Sequence, residues 1–390
     1  MTTMHAFTKQ QGLRLCGWLT SCALAAGAAA AQTPAPVPAP RIRSEISYSS
    51  VTQLANSPRL YADGRFDAGR MPADTPLTGI TMVFNRTAAQ QADLTALLAA
   101  QQNPSSPLFH QWLTPEQFGA RFGMAQADLD KVQQWLQQQG FTIDSVARAR
   151  NSIRFSGTVN RVNLAFQTEM HYYKTPDGAR HLSPSTPLSL PSAIAPTIEA
   201  IHDLIDLKPR PSYQRSTRPA RPAYSIYQGT SPQVVLFAPG DIDIAYDINP
   251  LIQSGTTGTG QTIAIMGQSQ ITTTDITNFQ DAALLAEKTP NLILVPNTGA
   301  AAVSPGDEGE SDLDLEWSGA TAPGATIDFV YTGNSPTSNG IFDSLQYAID
   351  NNIGNIISVS YGSCETELAG FTQDPLYQQA EMQGQSIIAA

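Results

Sequence analysis

The sequence has 390 residues, 41% of them apolar, with 28 glycines, 28 prolines and a formal net charge of −11. That length is enough for two domains with cores of their own, and the apolar content excludes a wholly disordered chain. So acidic a surface argues against nucleic acid as a partner.

At the N-terminus, Lys9 and Arg14 precede the apolar run LCGWLTSCALAAGAAAA, which ends in alanines before Gln32. A basic flank, an apolar stretch and a small-residue cleavage site read as a Sec-type signal peptide over residues 1–31. A membrane anchor is the alternative, although the run falls short of the ~20 residues a spanning helix needs. A lipoprotein processed at Cys22 is a further alternative, disfavoured by a short apolar stretch that Arg14 breaks. The expectation is an exported protein, extracellular or periplasmic, with no membrane attachment after signal removal. Cys16 and Cys22 would leave with the signal, so Cys364 stands alone in the mature chain. An odd cysteine in an exported protein implies a missing partner or a free thiol.

Residues 32–48 begin with the Pro-Ala tether QTPAPVPAP, which cannot bury a core. A first domain is expected over 49–207. GITMVFN (79–85) reads as a strand and AAQQADLTALLAAQQ (88–102) as an amphipathic helix. Thr114, Pro115 and Gln117 supply the N-cap, N1 and N3 residues of a capping box. A further helix runs to Gly140, followed by paired strands in FTIDSVA and NSIRFSG and a short helix in VNRVNLAFQT. EMHYYKTPDGARHL reads as a hairpin turning at Pro176-Asp177-Gly178. This order predicts an α+β domain with a ferredoxin-like antiparallel sheet.

Residues 208–240 are rich in proline and arginine and carry no sustained period. They read as an exposed linker with a processing site. From 241 to 390 the pattern changes to short apolar runs, QTIAIMG, NLILV, ATIDFVY, NIISVSYG and SIIAA, separated by helix-length segments at 275–287, 308–319, 339–351 and 374–384. Such alternation predicts a parallel sheet covered on both faces, with ligands outside the C-terminal strand ends.

Charge divides unevenly. Residues 41–223 carry 19 basic and 14 acidic side chains, a net of +5, whereas residues 224–390 carry Lys288 alone against 19 acidic side chains, a net of −18. Opposite blocks of this size attract at neutral pH and lose that attraction as carboxylates protonate near pH ~4.

The stretch DEGESDLDLEW (307–317) is acidic at six of eleven positions. On a helix, Glu310, Leu313, Asp314 and Trp317 share one face. Leu313 and Trp317 would make that face the buried one and leave Ser311, Asp312 and Glu316 to water. Two carboxyls one turn apart in a desolvated setting cannot both ionise cheaply, which suits acid–base work in acid. A solvated acidic helix face is the alternative.

SPLFHQWLTPEQFGARFG followed by VQQWLQQQGF resembles the activation domain of the sedolisin family of serine-carboxyl peptidases, the kumamolisin-like group. GESDLDLEWSGATAPGA is similar to the helix that carries this family's catalytic Glu and Asp, and IISVSYGSCE to its substrate-binding strand. The resemblance covers nearly everything from about residue 50 onward. It implies that the C-terminal part belongs to a subtilisin-like α/β domain, incomplete here. It further implies that Glu310 is the general base toward a serine nucleophile, Asp314 its carboxyl partner, and Ser360, Tyr361 and Gly362 the segment pairing with substrate backbone. By the same resemblance, a Gly-Asp oxyanion motif, the Gly-Thr-Ser nucleophile motif and the ligands of a calcium ion all lie beyond residue 390, so this chain alone is expected to be inactive. Substrates would be proteins or peptides, and the prodomain an intramolecular inhibitor. A subtilisin assignment fails, because the five histidines (5, 110, 171, 181 and 202) all lie outside the second domain. One departure from some family members is Met266-Gly267, where they carry a further acidic residue. The alternative function is a non-catalytic, truncated product acting as a prodomain-type binder or inhibitor of a related peptidase.

Overall fold

The computed structural model describes residues 37–57, 62–176, 178–206, 208–211, 237–363 and 374–389. The expected signal peptide, most of the expected linker, Asp177 of the expected hairpin turn and Cys364 lie outside the described residues. Val37–Ala390 forms one unit.

In its N-terminal region, strands β1 (Val51–Gln53) and β2 (Asp67–Arg70) precede the long strand β3 (Pro76–Phe84). Helices α1 (Ala88–Gln102), α2 (Pro115–Phe122) and α3 (Gln126–Gln138) follow. The first two start on complete capping boxes. Thr114 Oγ1 accepts from the Gln117 amide at 3.2 Å while Gln117 Oε1 accepts from the Thr114 amide at 2.8 Å, and Thr87 and Gln90 repeat the exchange on α1.

Strands β4 (Thr142–Val146) and β5 (Ser152–Thr158), helix α4 (Val159–Phe166) and strands β6 (Met170–Lys174), β7 (Arg180–Pro184), β8 (Ser189–Pro191) and β9 (Ile198–His202) complete the region. The main sheet has the order β4-β5-β3-β9, antiparallel throughout, so the first strand of the set lies between the third and the fourth. Its core joins Ile80, Met82 and Phe155 of the sheet to Trp135 and Phe166 of the helices. The expected hairpin is β6–β7, and β2 extends it to a three-stranded sheet.

A two-residue strand, β10 (Arg210–Pro211), and helices α5 (Pro239–Ala245) and α6 (Asn249–Gln253) lead into the C-terminal region. There β11 (Thr262–Gly267), α7 (Thr273–Ala282), β12 (Asn291–Leu294), α8 (Pro305–Thr321), β13 (Thr326–Tyr331) and α9 (Ile341–Asp350) alternate. Strands β14 (Ile356–Val359) and β15 (Tyr361–Gly362), helix α10 (Asp374–Met382) and strand β16 (Ser386–Ala389) follow.

The five-stranded sheet β12-β13-β11-β14-β16 is parallel throughout. Alternate residues feed two cores. Ile265, Ile327 and Phe329 pack with α7 and α8, and Ala264, Met266 and Val330 pack with α9 and α10. The chain runs from β11 to one edge, returns through β13, and crosses β11 to reach β14. The crevice beyond the C-terminal ends of β11 and β14 is therefore a topological switch point.

Within residues 208–240, β10 pairs with β15 and α5 begins at Pro239. One expectation needs correction. Leu313 is 40% exposed, whereas Ser311 and Leu315 (3%) are buried. Trp317 is half-buried on Phe279, ring centroids 6.0 Å apart. Helix α8 meets the sheet through the 311/315 row because Leu315 fills the gap beside Ile265 and Phe329, a choice made by docking and not by helical period.

Candidate active site at the switch point

Helix α8 aims its first turns at the crevice. Ser304 is its N-cap and Pro305 its first residue, and the acidic Asp307 and Glu308 in the first turn complement the helix dipole. Asp307 ties this end together. Its Oδ2 accepts from Ser304 Oγ at 2.8 Å, its Oδ1 from Gln268 Nε2 at 2.8 Å, and its carbonyl from the Tyr361 hydroxyl at 3.4 Å.

Glu310 is 4% exposed, and Asp314 lies one turn further along. Asp314 Oδ1 accepts from Ser360 Oγ at 2.9 Å, whereas its Oδ2 is buried without a hydrogen-bond partner. Burial, followed by the Glu310 charge, pushes the Asp314 carboxyl up to about 6 against the pull of the Ser360 hydrogen bond. Tyr361 is buried, and its hydroxyl is held neutral by burial first and then by Asp307, Glu310 and Asp314. Glu310, Asp314, Ser360 and Tyr361 thus meet at one place. Gly362 lies at its open side, where Arg210 pairs opposite Gly362 and Pro211 opposite Tyr361, antiparallel. Gln268 Nε2 also donates to the Pro209 carbonyl at 2.9 Å.

Sequence reasoning missed Gln268, Asp307 and the strand β10. Gln268 had a usable signal, since it directly follows a core strand at a C-terminal strand end. The strand β10 had none, being two residues long and paired with a segment about 150 positions away.

The other side of α8 carries a second acidic group. Asp275, Glu308 and Asp312 place carboxylate oxygens within 4.8 Å of one another. Burial, then Asp312 and Asp275, push the neighbouring Glu316 up to about 8. This corrects the expectation that Ser311, Asp312 and Glu316 all face water. Calcium takes six to eight oxygen ligands, from carboxylates, carbonyls and water together. Glu308 Oε1 accepts from the Thr272 amide and hydroxyl at 3.0 and 2.7 Å.

Between the two sheets lies a polar seam. Arg154 reaches Asp343 at 3.5 Å, Asn339 Nδ2 donates to Asp203 at 2.5 Å, and Thr337 Oγ1 donates to the Thr78 carbonyl at 2.9 Å. Farther along, Asn151 donates to Gln379 and the Leu113 amide to the Met382 carbonyl. His110 lies stacked between Phe109 and Trp112. Trp112 lies so close to Gly384, at φ +75°, that an added Cβ would come within 2.6 Å of the indole.

Residues 65–207 match the family model described as "Pro-kumamolisin, activation domain". The chain is 29% identical over 326 residues to kumamolisin of Bacillus sp. (strain MN-32), covering 81% of this chain and 56% of that protein. It is 29% identical over 311 residues to xanthomonalisin of Xanthomonas sp. (strain T-22), covering 76% of this chain and 37% of that protein. Over residues 65–207 the chain is thus similar to the activation domain of kumamolisin-type peptidase precursors. The chain spans little more than half the length of the first of these relatives and less of the second. A solved structure of Pseudomonas sedolisin, a serine-carboxyl proteinase complexed with two molecules of pseudo-iodotyrostatin, aligns with a TM-score of 0.30 and 24% identity over 34% of this chain and 39% of that one. Among the described residues, no helix is long and apolar enough to cross a membrane.

Proposed function

We propose that the chain is the precursor form of an exported serine-carboxyl endopeptidase that hydrolyses peptide bonds in acid. In this reading residues 49–207 are a ferredoxin-like activation prodomain and residues 208–240 a linker with a processing site. Residues 241–390 are the first part of a subtilisin-like catalytic domain. Glu310 takes the proton of a serine hydroxyl, and Asp314 holds Glu310 and shares its proton. Ser360, Tyr361 and Gly362 bind the peptide main chain. Glutamate in the place of histidine moves the working range to acid, where a carboxyl base is still partly ionised. This reading further requires a serine nucleophile, an oxyanion carboxyl and the ligands of a calcium ion.

The observation that carries this reading is the strand β10 on Tyr361–Gly362. A peptide added edge-on to a short exposed strand is how extended substrates are held. Here the chain's own segment occupies that position, a few residues from the acid pair. The arrangement suits a latent enzyme whose linker blocks its cleft.

Acid release draws on the charge division. Two buried groups in the seam offset each other. Burial lowers His202 to about 4, so docking weakens as pH falls from 6.5 toward 4. Burial and the Asp343 charge raise Asp203, so docking weakens as pH rises past 3.8. Over their shared range the slopes oppose, and this reading assigns the acid response to the +5 and −18 blocks. The test is linker processing by the full-length precursor at pH ~4. Wild type should convert to a shorter form, and Glu310→Gln should stay uncut. Conversion of the Gln variant at the wild-type rate would remove Glu310 from the mechanism.

A further inference from the structure

Gln268 is buried just past the end of β11, and both ends of its amide are engaged. Its Oε1 accepts from the Ile341 amide at the start of α9, at 3.3 Å. Its Nε2 divides between Asp307 Oδ1 at 2.8 Å and the Pro209 carbonyl at 2.9 Å. Gly340, at φ +61°, closes over it so tightly that a Cβ there would lie 2.1 Å from Oε1. The amide cannot flip without giving up both the Ile341 donor and the Asp307 acceptor. Its donor edge is therefore fixed toward the strand in the cleft.

We propose that Gln268 is a main-chain clamp of this cleft. Its Nε2 takes the carbonyl of the peptide residue just before the one that faces Gly362, holding Pro209 now and any extended polypeptide substrate in the same way. The inference rests on the reading of the cleft as a peptide-binding groove and names the substrate class it selects. A substrate must run in extended form at least one residue upstream of the pair facing Tyr361 and Gly362. Any side chain is accepted at the clamped position, because only a carbonyl is read. An amide is suited to acid conditions, since it donates the same hydrogen bond whatever the ionisation of its carboxyl neighbours.

Hydrogen exchange on the full chain tests this without requiring turnover, so failure of the peptidase reading and failure of the clamp are distinguishable. Three proteins are compared at pH 7 and pH 4 after correction for intrinsic exchange: wild type, Gln268→Leu and Gln268→Glu. The Leu variant should raise exchange in segments 208–211 and 360–363 about fivefold or more at both pH values. The Glu variant should match the Leu variant at pH 7, where an ionised carboxylate cannot donate. It should return toward wild type at pH 4, where the protonated acid can donate to the Pro209 carbonyl. Two results would overturn the proposal. One is unchanged exchange in 208–211 for the Leu variant. The other is a rise shared equally by β11 and α9 with no acid recovery in the Glu variant, since that is the mark of a merely structural glutamine.

Discussion

Helix α8 carries two acidic pairs at the same spacing, Glu310 with Asp314 and Asp312 with Glu316, on roughly opposite sides. Both contain a carboxyl displaced upward, and the larger displacement belongs to Glu316 at about 8, against about 6 for Asp314. Size of perturbation alone would select the side away from Ser360 and β10. The pairs differ in their company. Asp314 receives a serine hydroxyl and lies near Tyr361 and the strand β10, whereas Glu316 faces Asp312 and Asp275 of its own surface. A perturbed carboxyl is a functional candidate only when something to be bound or deprotonated lies within its reach.

The largest expected effect separates the pairs by activity. On the proposed peptidase reading, Glu310→Gln or Asp314→Asn in the precursor that carries the serine should slow peptide hydrolysis at pH ~4 by about 10³-fold or more. Asp312→Asn and Glu316→Gln should stay within roughly threefold of wild type. Equal losses from both pairs would erase the distinction between them. Next in size is the packing that orients the helix. Leu315→Ala should cost about 2–5 kcal/mol in urea unfolding, whereas Leu313→Ala on the exposed side should stay within about 0.5 kcal/mol. The reverse order would turn α8 over.

A smaller effect concerns Glu316 alone. Its folded value of about 8 lies above its ordinary 4.5, so its contribution is present below pH 4.5 and is lost as pH rises toward 8. Glu316→Gln should therefore stabilise the chain at pH 8.5 and change little at pH 4. After allowance for solvent screening the gain is on the order of 1 kcal/mol, read as a higher thermal midpoint. A variant less stable than wild type at pH 8.5 would show that Glu316 is held by attraction and not by burial.

The fold was legible where local signals and period agree. Thr114-Pro115-Gln117 gave the start of α2 to the residue, and the apolar runs gave the strands of the parallel sheet because a buried strand needs no alternation. The acid pair was legible as a one-turn spacing. Its supporting face was not. Leu313 and Leu315 both fit an apolar stripe on α8, and only contact with Ile265 and Phe329 decides which is inside. Nor could local pattern place β10 on Tyr361–Gly362, or set Arg154, His202 and Asp203 against Asp343, since these are pairings between distant segments. His202 entered the sequence reading only as a histidine outside the second domain.

The smallest effect is also the most direct measurement of the central claim, that Glu310 and Asp314 share one desolvated setting beside the Ser360 hydroxyl. A carboxyl-carbon NMR titration of Asp314 in this chain should give a midpoint near 6. The midpoint should move down in Glu310→Gln, which removes a repelling charge, and up in Ser360→Ala, which removes a stabilising donor. An ordinary carboxylate midpoint, indifferent to both substitutions, would contradict the account.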